Sequence, residues 1–220
     1  KDFKLSSQIG MILIILAGMA SWDEMEMYFP LSNQIGLEKK SMNPMFLMYF
    51  EDNPEHHLKR AINFSKRFIR KELDNLSFQK HNKIRIGYFS SDFRNHSVSY
   101  LLTRTLELHD KSKFQIYAYS LNKTNDTYTD RVRKASFCFR EINELSDIDI
   151  VNLVRNDQLD IAIDLTGHTK NNRMSIFSYR LAPIQINYLG YPGSLGPQFY
   201  DFILADKVLI PEKYHKFYME

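Results

Sequence analysis

Residues 83–100 read KIRIGYFSSDFRNHSVSY, an apolar run that breaks into a polar turn and then into a helical period. Ile84, Ile86, Tyr88 and Phe89 are β-rich and largely apolar, so the run reads as a buried strand ending near Phe89. Ser90, Ser91, Asp92, Arg94, Asn95, His96 and Ser97 then gather hydroxyls, a carboxylate, a guanidinium and an imidazole before the apolar period Val98–Leu108 begins. In an open α/β sheet, ligands bind in the crevice beyond the carboxyl ends of the strands. His96 is therefore the first candidate site residue. The plainer reading makes Asn95 or Ser97 an N-cap for the following helix and His96 an incidental surface imidazole.

Downstream, strands and helices alternate. Phe114–Ser120 reads as a strand, 130–135 as a helix, Phe137–Ile142 as a strand and Ser146–Asn156 as a helix capped by Ser146. Leu159–Leu165 (strand), Asn172–Tyr179 (helix), Ile184–Leu189 (strand) and Phe199–Ala205 (strand) follow. This order implies right-handed βαβ units and a mainly parallel Rossmann-like α/β sheet. No G-x-G-x-x-G follows the first strand, which argues against a dinucleotide-binding half.

Three strand ends carry unusual loops: Ser90–Ser97, Thr166–Lys170 (TGHTK) and Gly190–Gly196 (GYPGSLG). A parallel sheet places all three at one edge. Glycines at 190, 193 and 196 let backbone approach a ligand, and Pro192 stiffens the turn. Taken singly, the glycine loop is a tight turn and His168 a surface residue. Together the loops point to a sugar- or phosphate-binding cleft.

Upstream, residues 1–80 carry no strand alternation and are expected to be helical. Leu58–Leu73 reads as an amphipathic helix with Leu58, Ile62, Ile69 and Leu73 near one stripe. Lys59, Arg60, Lys66, Arg67, Arg70 and Lys71 are read as its solvated basic face rather than a nucleic-acid footprint. Ile9–Ala20 is about 12 residues long, short of the roughly 20 a spanning helix needs, and is read as a buried helix in preference to a signal peptide. The 220 residues carry a net charge of +3, too small to argue for nucleic acid, and one cysteine, Cys138, in an apolar run. An intrachain disulfide and a multi-thiolate metal site are excluded, and a reducing, cytoplasmic setting follows. The chain opens on Lys1 and closes on Glu220 in what reads as a helix, so it is taken as a fragment.

Residues 83–197 resemble the N-terminal catalytic lobe of the O-linked N-acetylglucosamine transferase and SPINDLY family, through RIGYFSSDFRNHSVSY, DIAIDLTGHTKNNR and APIQINYLGYPGSLG. Trp22–Phe68 is similar to the linker that follows helical repeats in bacterial members. The resemblance implies a two-lobed GT-B glycosyltransferase preceded by tetratricopeptide (TPR) repeats. Residues 1–80 would be the helical linker region and 81–220 the N-terminal Rossmann-like lobe, truncated before a nucleotide-binding C-lobe. It implies transfer of N-acetylglucosamine from UDP-GlcNAc to Ser/Thr hydroxyls of protein acceptors with inversion, without metal or cofactor and without nucleic-acid or membrane partners. His96 matches the active-site histidine, Leu189, Gly190 and Pro192 the loop lining the sugar pocket, and Lys170 a cleft-lining lysine. A second family histidine falls at Asp160, while Asp157 retains an acid read as structural. The resemblance places most nucleotide contacts on the other lobe, so this stretch is expected to be inactive alone. Fucosyl transfer from GDP-fucose, a glycan or lipid acceptor, and a decayed non-catalytic scaffold are the alternatives.

Overall fold

The computed structural model describes residues 2–37, 43–68, 77–196 and 199–220. The chain divides into two compact units: Lys1–Ile69 with Gly193–Pro197 and Lys207–Glu220, and Arg70–Pro192 with Gln198–Asp206.

The first unit is helical over α1 (Asp2–Gly18), α2 (Trp22–Ser32), α3 (Pro44–Leu47) and α4 (Pro54–Ser65). Asn53 caps α4 by accepting from His56 N at 3.1 Å, with Pro54 at the first helical position. The predicted burial of the apolar N-terminal helix holds for one stripe only. Leu13 packs with Ile35 and Leu47, whereas Met11, Ile15 and Met19 stay exposed because α2 and α3 cover a single side of α1. Arg60 also departs from expectation: it lies buried, not on a solvated basic face. Its guanidinium donates to the carbonyls of Ile35 (2.9 Å) and Ser32 (3.0 Å) and pairs with Glu51 at 2.5 Å. Carbonyls at and beyond the end of α2 lack intrahelical partners, and a long forked donor satisfies them. The helix expected over Leu58–Leu73 starts earlier and ends at Ser65, followed by a 3₁₀ turn, Lys66–Phe68; Ile69, Arg70, Lys71 and Leu73 lie outside the described residues. Nor does the chain close in an α-helix. Glu212–Phe217 is a 3₁₀ segment, Tyr218 is extended, and the Glu220 carboxylate accepts from Leu195 N (2.5 Å) and Ser194 Oγ (2.8 Å).

The second unit holds a six-stranded, all-parallel sheet. Its strands are β1 (Ile84–Ser90), β2 (Phe114–Ser120), β3 (Cys138–Glu141), β4 (Ile161–Asp164), β5 (Ile184–Tyr188) and β6 (Phe202–Leu204), in the order β3-β2-β1-β4-β5-β6. The helices are α5 (Ser97–Leu108), α6 (Thr127–Ala135), α7 (Asp147–Asp157) and α8 (Met174–Phe177). Side chains alternate across the sheet, so Ile86, Tyr88, Ile116, Ala118 and Ile163 share one face. Val98, Leu102 and Leu106 of α5 and Val132 and Ala135 of α6 bury that face. On the opposite face Phe89 stacks on Tyr119 (4.4 Å between ring centres) and meets Phe177 of α8 edge-on (5.2 Å). Towards β5 and β6 the first face thins out, leaving Ile184, Phe202 and Leu204 between 37% and 56% exposed.

Several boundaries differ from the sequence reading, three of them for a visible reason. Asp126 builds a capping box that starts α6 at Thr127. The helix read over Asn172–Tyr179 is the single turn α8, bracketed by left-handed Asn171 (φ 62°) and Arg180 (φ 58°). The last strand shrinks to Phe202–Leu204 because Phe199 and Tyr200 are buried before it begins. Cys138 sits half-buried on β3, and burial pushes its thiol up, away from nucleophilic use.

Candidate functional site

All strands run parallel, so the loops after β1, β4 and β5 emerge at one edge. The strand order reverses direction between β1 and β4, and two of the three loops flank that switch point.

The first loop is braced before it reaches His96. Asp92 N donates to Ser90 Oγ (2.9 Å), Ser99 Oγ donates to the Asp92 carbonyl (2.6 Å), and Ser91 Oγ donates to Asp92 Oδ2 (3.0 Å). From the β2–α6 side, Asp126 Oδ2 accepts from Asn95 N at 2.6 Å and Thr129 Oγ1 donates to the Phe93 carbonyl at 2.7 Å. His96 itself is the N-cap of α5, accepting from Val98 N through Nδ1 at 3.3 Å. Neither Asn95 nor Ser97 fills that role, because the extended backbone falls at His96 (φ −156°, ψ 153°). With Nδ1 accepting, a neutral ring carries its proton on Nε2. That nitrogen lies 3.8 Å from Asp92 Oδ1, and Asp92 in turn pairs with Arg94 at 3.0 Å.

The second loop hangs from Asp164 at the end of β4. Asp164 Oδ1 accepts from Thr166 N (2.8 Å) and Gly167 N (3.1 Å), and Oδ2 accepts from Tyr200 OH (2.6 Å). The carboxylate is buried, and burial raises its pKa above the ordinary carboxylate range. His168, one of the residues that drew attention to this loop, is fully buried rather than at the surface. Its ring meets Tyr191 of the third loop edge-on, at 5.0 Å and 80°. Lys170 is exposed at the end of the loop.

The third loop turns on Leu189. Gly190 N donates to the Tyr188 carbonyl at 2.8 Å around Leu189 at φ +70°, a tight γ-type turn in a backbone region that a leucine rarely adopts. Gly190 is required where it stands: a Cβ there would overlap the Leu165 carbonyl. Tyr191 is buried and Pro192 half-buried.

Asp157 and Asp160 lie at the other end of β4. Asp157 takes Arg140 in a two-pronged pair (2.5 and 2.8 Å) and Tyr119 OH (2.7 Å), while Asp160 Oδ2 accepts from Arg85 N. Among the described residues, no group of three or more His, Cys, Asp or Glu is placed to hold a metal. No helix in the described residues is long and apolar enough to cross a membrane.

A parallel, doubly wound sheet with three polar or glycine-bearing loops at its carboxyl edge defines a Rossmann-like lobe. The sequence profile of glycosyl transferase family 41 matches residues 60–220, and the chain belongs to that family. It is 32% identical over 139 residues to a probable UDP-N-acetylglucosamine–peptide N-acetylglucosaminyltransferase, SEC, of Arabidopsis thaliana, covering 63% of this chain and 14% of the relative. The UDP-N-acetylglucosamine–peptide N-acetylglucosaminyltransferase of Caenorhabditis elegans is 34% identical over 140 residues, 63% of this chain and 12% of the relative. Among solved structures, a K341M mutant of the Thermobaculum terrenum O-GlcNAc transferase superposes with a TM-score of 0.75 at 30% identity, covering 80% of this chain and 35% of that one. The chain thus spans about one seventh of the length of such curated relatives.

The sequence reading missed Asp164, Tyr200 and the strain at Leu189. Asp164 had a visible signal, being an acid inside the apolar run LDIAIDL. Tyr200 had none, since its hydrogen bond spans 36 positions.

Proposed function

We propose that the whole protein transfers N-acetylglucosamine from UDP-GlcNAc to serine or threonine hydroxyls of acceptor proteins with inversion, and that this chain supplies its first lobe. The observation that carries the reading is the convergence of the His96, Thr166–Lys170 and Leu189–Pro192 loops on one edge of the sheet. The names of the relatives supply the donor and the acceptor class.

In this reading the acceptor hydroxyl attacks the anomeric carbon opposite the diphosphate, whose bond to that carbon breaks as the new one forms, and the hydroxyl proton passes to the departing diphosphate or to water. The lobe's task is to orient the reactants and stabilise charge. His96, with Nδ1 held by Val98 N, offers Nε2–H as a donor to a reacting oxygen. Leu189, Gly190 and Pro192 line the sugar pocket, where the tight turn brings backbone close to the ligand. Lys170, exposed at the end of its loop, is a cleft-lining cation for the sugar donor. Uracil and ribose contacts fall to a second lobe, and no metal or cofactor takes part.

The test separates chemistry from capping. His96→Ala removes both the Nε2 donor and the cap, so it is expected to lower kcat/KM by about two to four orders of magnitude and to cost about 1 kcal/mol of stability. His96→Asn keeps a side-chain acceptor for the helix and should restore stability without restoring turnover. Sugar transfer from UDP-GlcNAc to an acceptor protein, with GDP-fucose as the alternative donor, is measured beside thermal unfolding. Near-normal turnover by folded His96→Asn would remove His96 from the mechanism.

A further inference from the structure

A line of hydrogen-bonded, buried polar groups runs from the approach to β6 to Asp92, which lies beside the imidazole of His96. Tyr200 OH donates to Asp164 Oδ2 (2.6 Å), Asp164 Oδ1 accepts from Thr166 N (2.8 Å), and Thr166 Oγ1 accepts from Ser91 N (3.3 Å). Ser91 Oγ donates to Asp92 Oδ2 (3.0 Å), and Asp92 Oδ1 faces His96 Nε2 at 3.8 Å. Tyr200, Asp164, Thr166, Ser91 and Asp92 are each no more than 9% exposed. Burying five polar side chains is costly unless every member is satisfied, and apolar residues would fill the same space more cheaply. Asp164 is the sharpest instance, since its hydrogen-bond partners are a phenol and two backbone N–H groups, with no cation among them. Such a line persists where it fixes a geometry that packing alone leaves loose.

We propose that Asp164 and Thr166 are positioning residues for the transfer reaction. Asp164 sets the backbone of the Thr166–Lys170 loop, and the Thr166 hydroxyl ties that loop to Ser91, so that the Asp92 carboxylate stays 3.8 Å from His96 Nε2, near enough to orient the ring by charge and too far to take its N–H from the reacting oxygen. Neither residue touches substrate. Each acts by holding the first and second loops in one register across the β1–β4 switch point, where a misplacement near 1 Å costs about 100-fold in rate. The inference rests on the reading of His96 as a reacting-centre residue, and one of its readouts is independent of catalysis.

The experiment compares Thr166→Val, which removes the hydroxyl at nearly constant shape, with Thr166→Ser, which keeps it. In the whole enzyme Thr166→Val is expected to lower kcat by roughly 10- to 100-fold with little change in KM for UDP-GlcNAc, and Thr166→Ser to recover most of the loss. Nitrogen-15 spectra of the imidazoles, assigned through His96→Asn, report the second readout. His96 resonances should move in Thr166→Val and in Tyr200→Phe and stay in place in Thr166→Ser. Unmoved His96 signals in folded Thr166→Val overturn the proposal, as does equal loss of activity in the Val and Ser variants. If the parent enzyme transfers no sugar, the functional reading fails, and the spectra still decide whether the line couples Tyr200 and Thr166 to His96.

Discussion

Gly190 lies against the Leu165 carbonyl with no room for a methyl group, so Gly190→Ala must push the β5 loop away from the end of β4. We expect it to cost about 1–3 kcal/mol in urea unfolding. Asp164 gives a pH-dependent counterpart. Burial raises its carboxyl pKa, so the folded protein holds that proton to higher pH than the unfolded chain. Its contribution to stability therefore falls as pH rises from the unfolded carboxylate range through the raised value. Asp164→Asn removes that slope: its melting temperature should exceed the parent's near neutrality, and the gain should shrink below about pH 4. A parent that melts with the same pH profile as the variant would contradict the sign. At this scale the sequence was legible where composition broke, as in the polar turn that ends β1 at Ser90 and starts α5 at Ser97. It was opaque where a residue took an unusual task, as when a histidine and not its Asn or Ser neighbour capped α5.

Elements with strong periodicity were read close to their true limits. β1, α5, β2 and α7 all carry clear apolar patterns, and Ser146 caps α7 by accepting from Asp149 N at 3.2 Å. α8 and β6 were drawn too long because left-handed residues and buried aromatics, not periodicity, set their ends. In α4 a run of basic residues hid one that works inside. Glu51→Ala takes the carboxylate partner from the buried Arg60 guanidinium and should destabilise the helical unit by about 3–5 kcal/mol, whereas replacing both partners with apolar residues should recover only part of that, because the Ile35 carbonyl then loses its donor. Differential scanning calorimetry of the single and double variants measures the difference. The thin half of the sheet makes a different claim. Phe202 and Leu204 project from one face at 56% and 53% exposure beside Ile184, a patch that favours dye binding and association. Lysine at both 202 and 204 should lower the fluorescence of a hydrophobic dye in this 220-residue chain without lowering its melting temperature.

For the molecule as a whole, alternation of strand and helix was enough to reach a parallel sheet, because βαβ handedness leaves few arrangements open. The shared edge of the three loops followed from that alone. The assignment of Gly193–Pro197 and Lys207–Glu220 to the compact unit of Lys1–Ile69 had no local signature. It depends on contacts such as that of Gly196 (φ 93°) with Ser65, far apart in the chain, where an added Cβ would strike the serine hydroxyl. Periodicity reports what a segment buries but not which distant segment it is buried against.

The place of β1 at the switch point also sets a timetable for synthesis. β2 can pair with β1 soon after both leave the ribosome, but the other flank of β1 waits for β4. At about 5–20 residues per second, several seconds pass with the run Ile86–Phe89 open along one side, and roughly 5–20 seconds separate His96 from the arrival of Gly190. A nascent chain halted before Ile161 presents an unpaired apolar strand to its neighbours on the polysome. Truncated products ending near residue 145 should therefore sediment with aggregates or with trigger-factor-like holdases, and those extended through β5 should not.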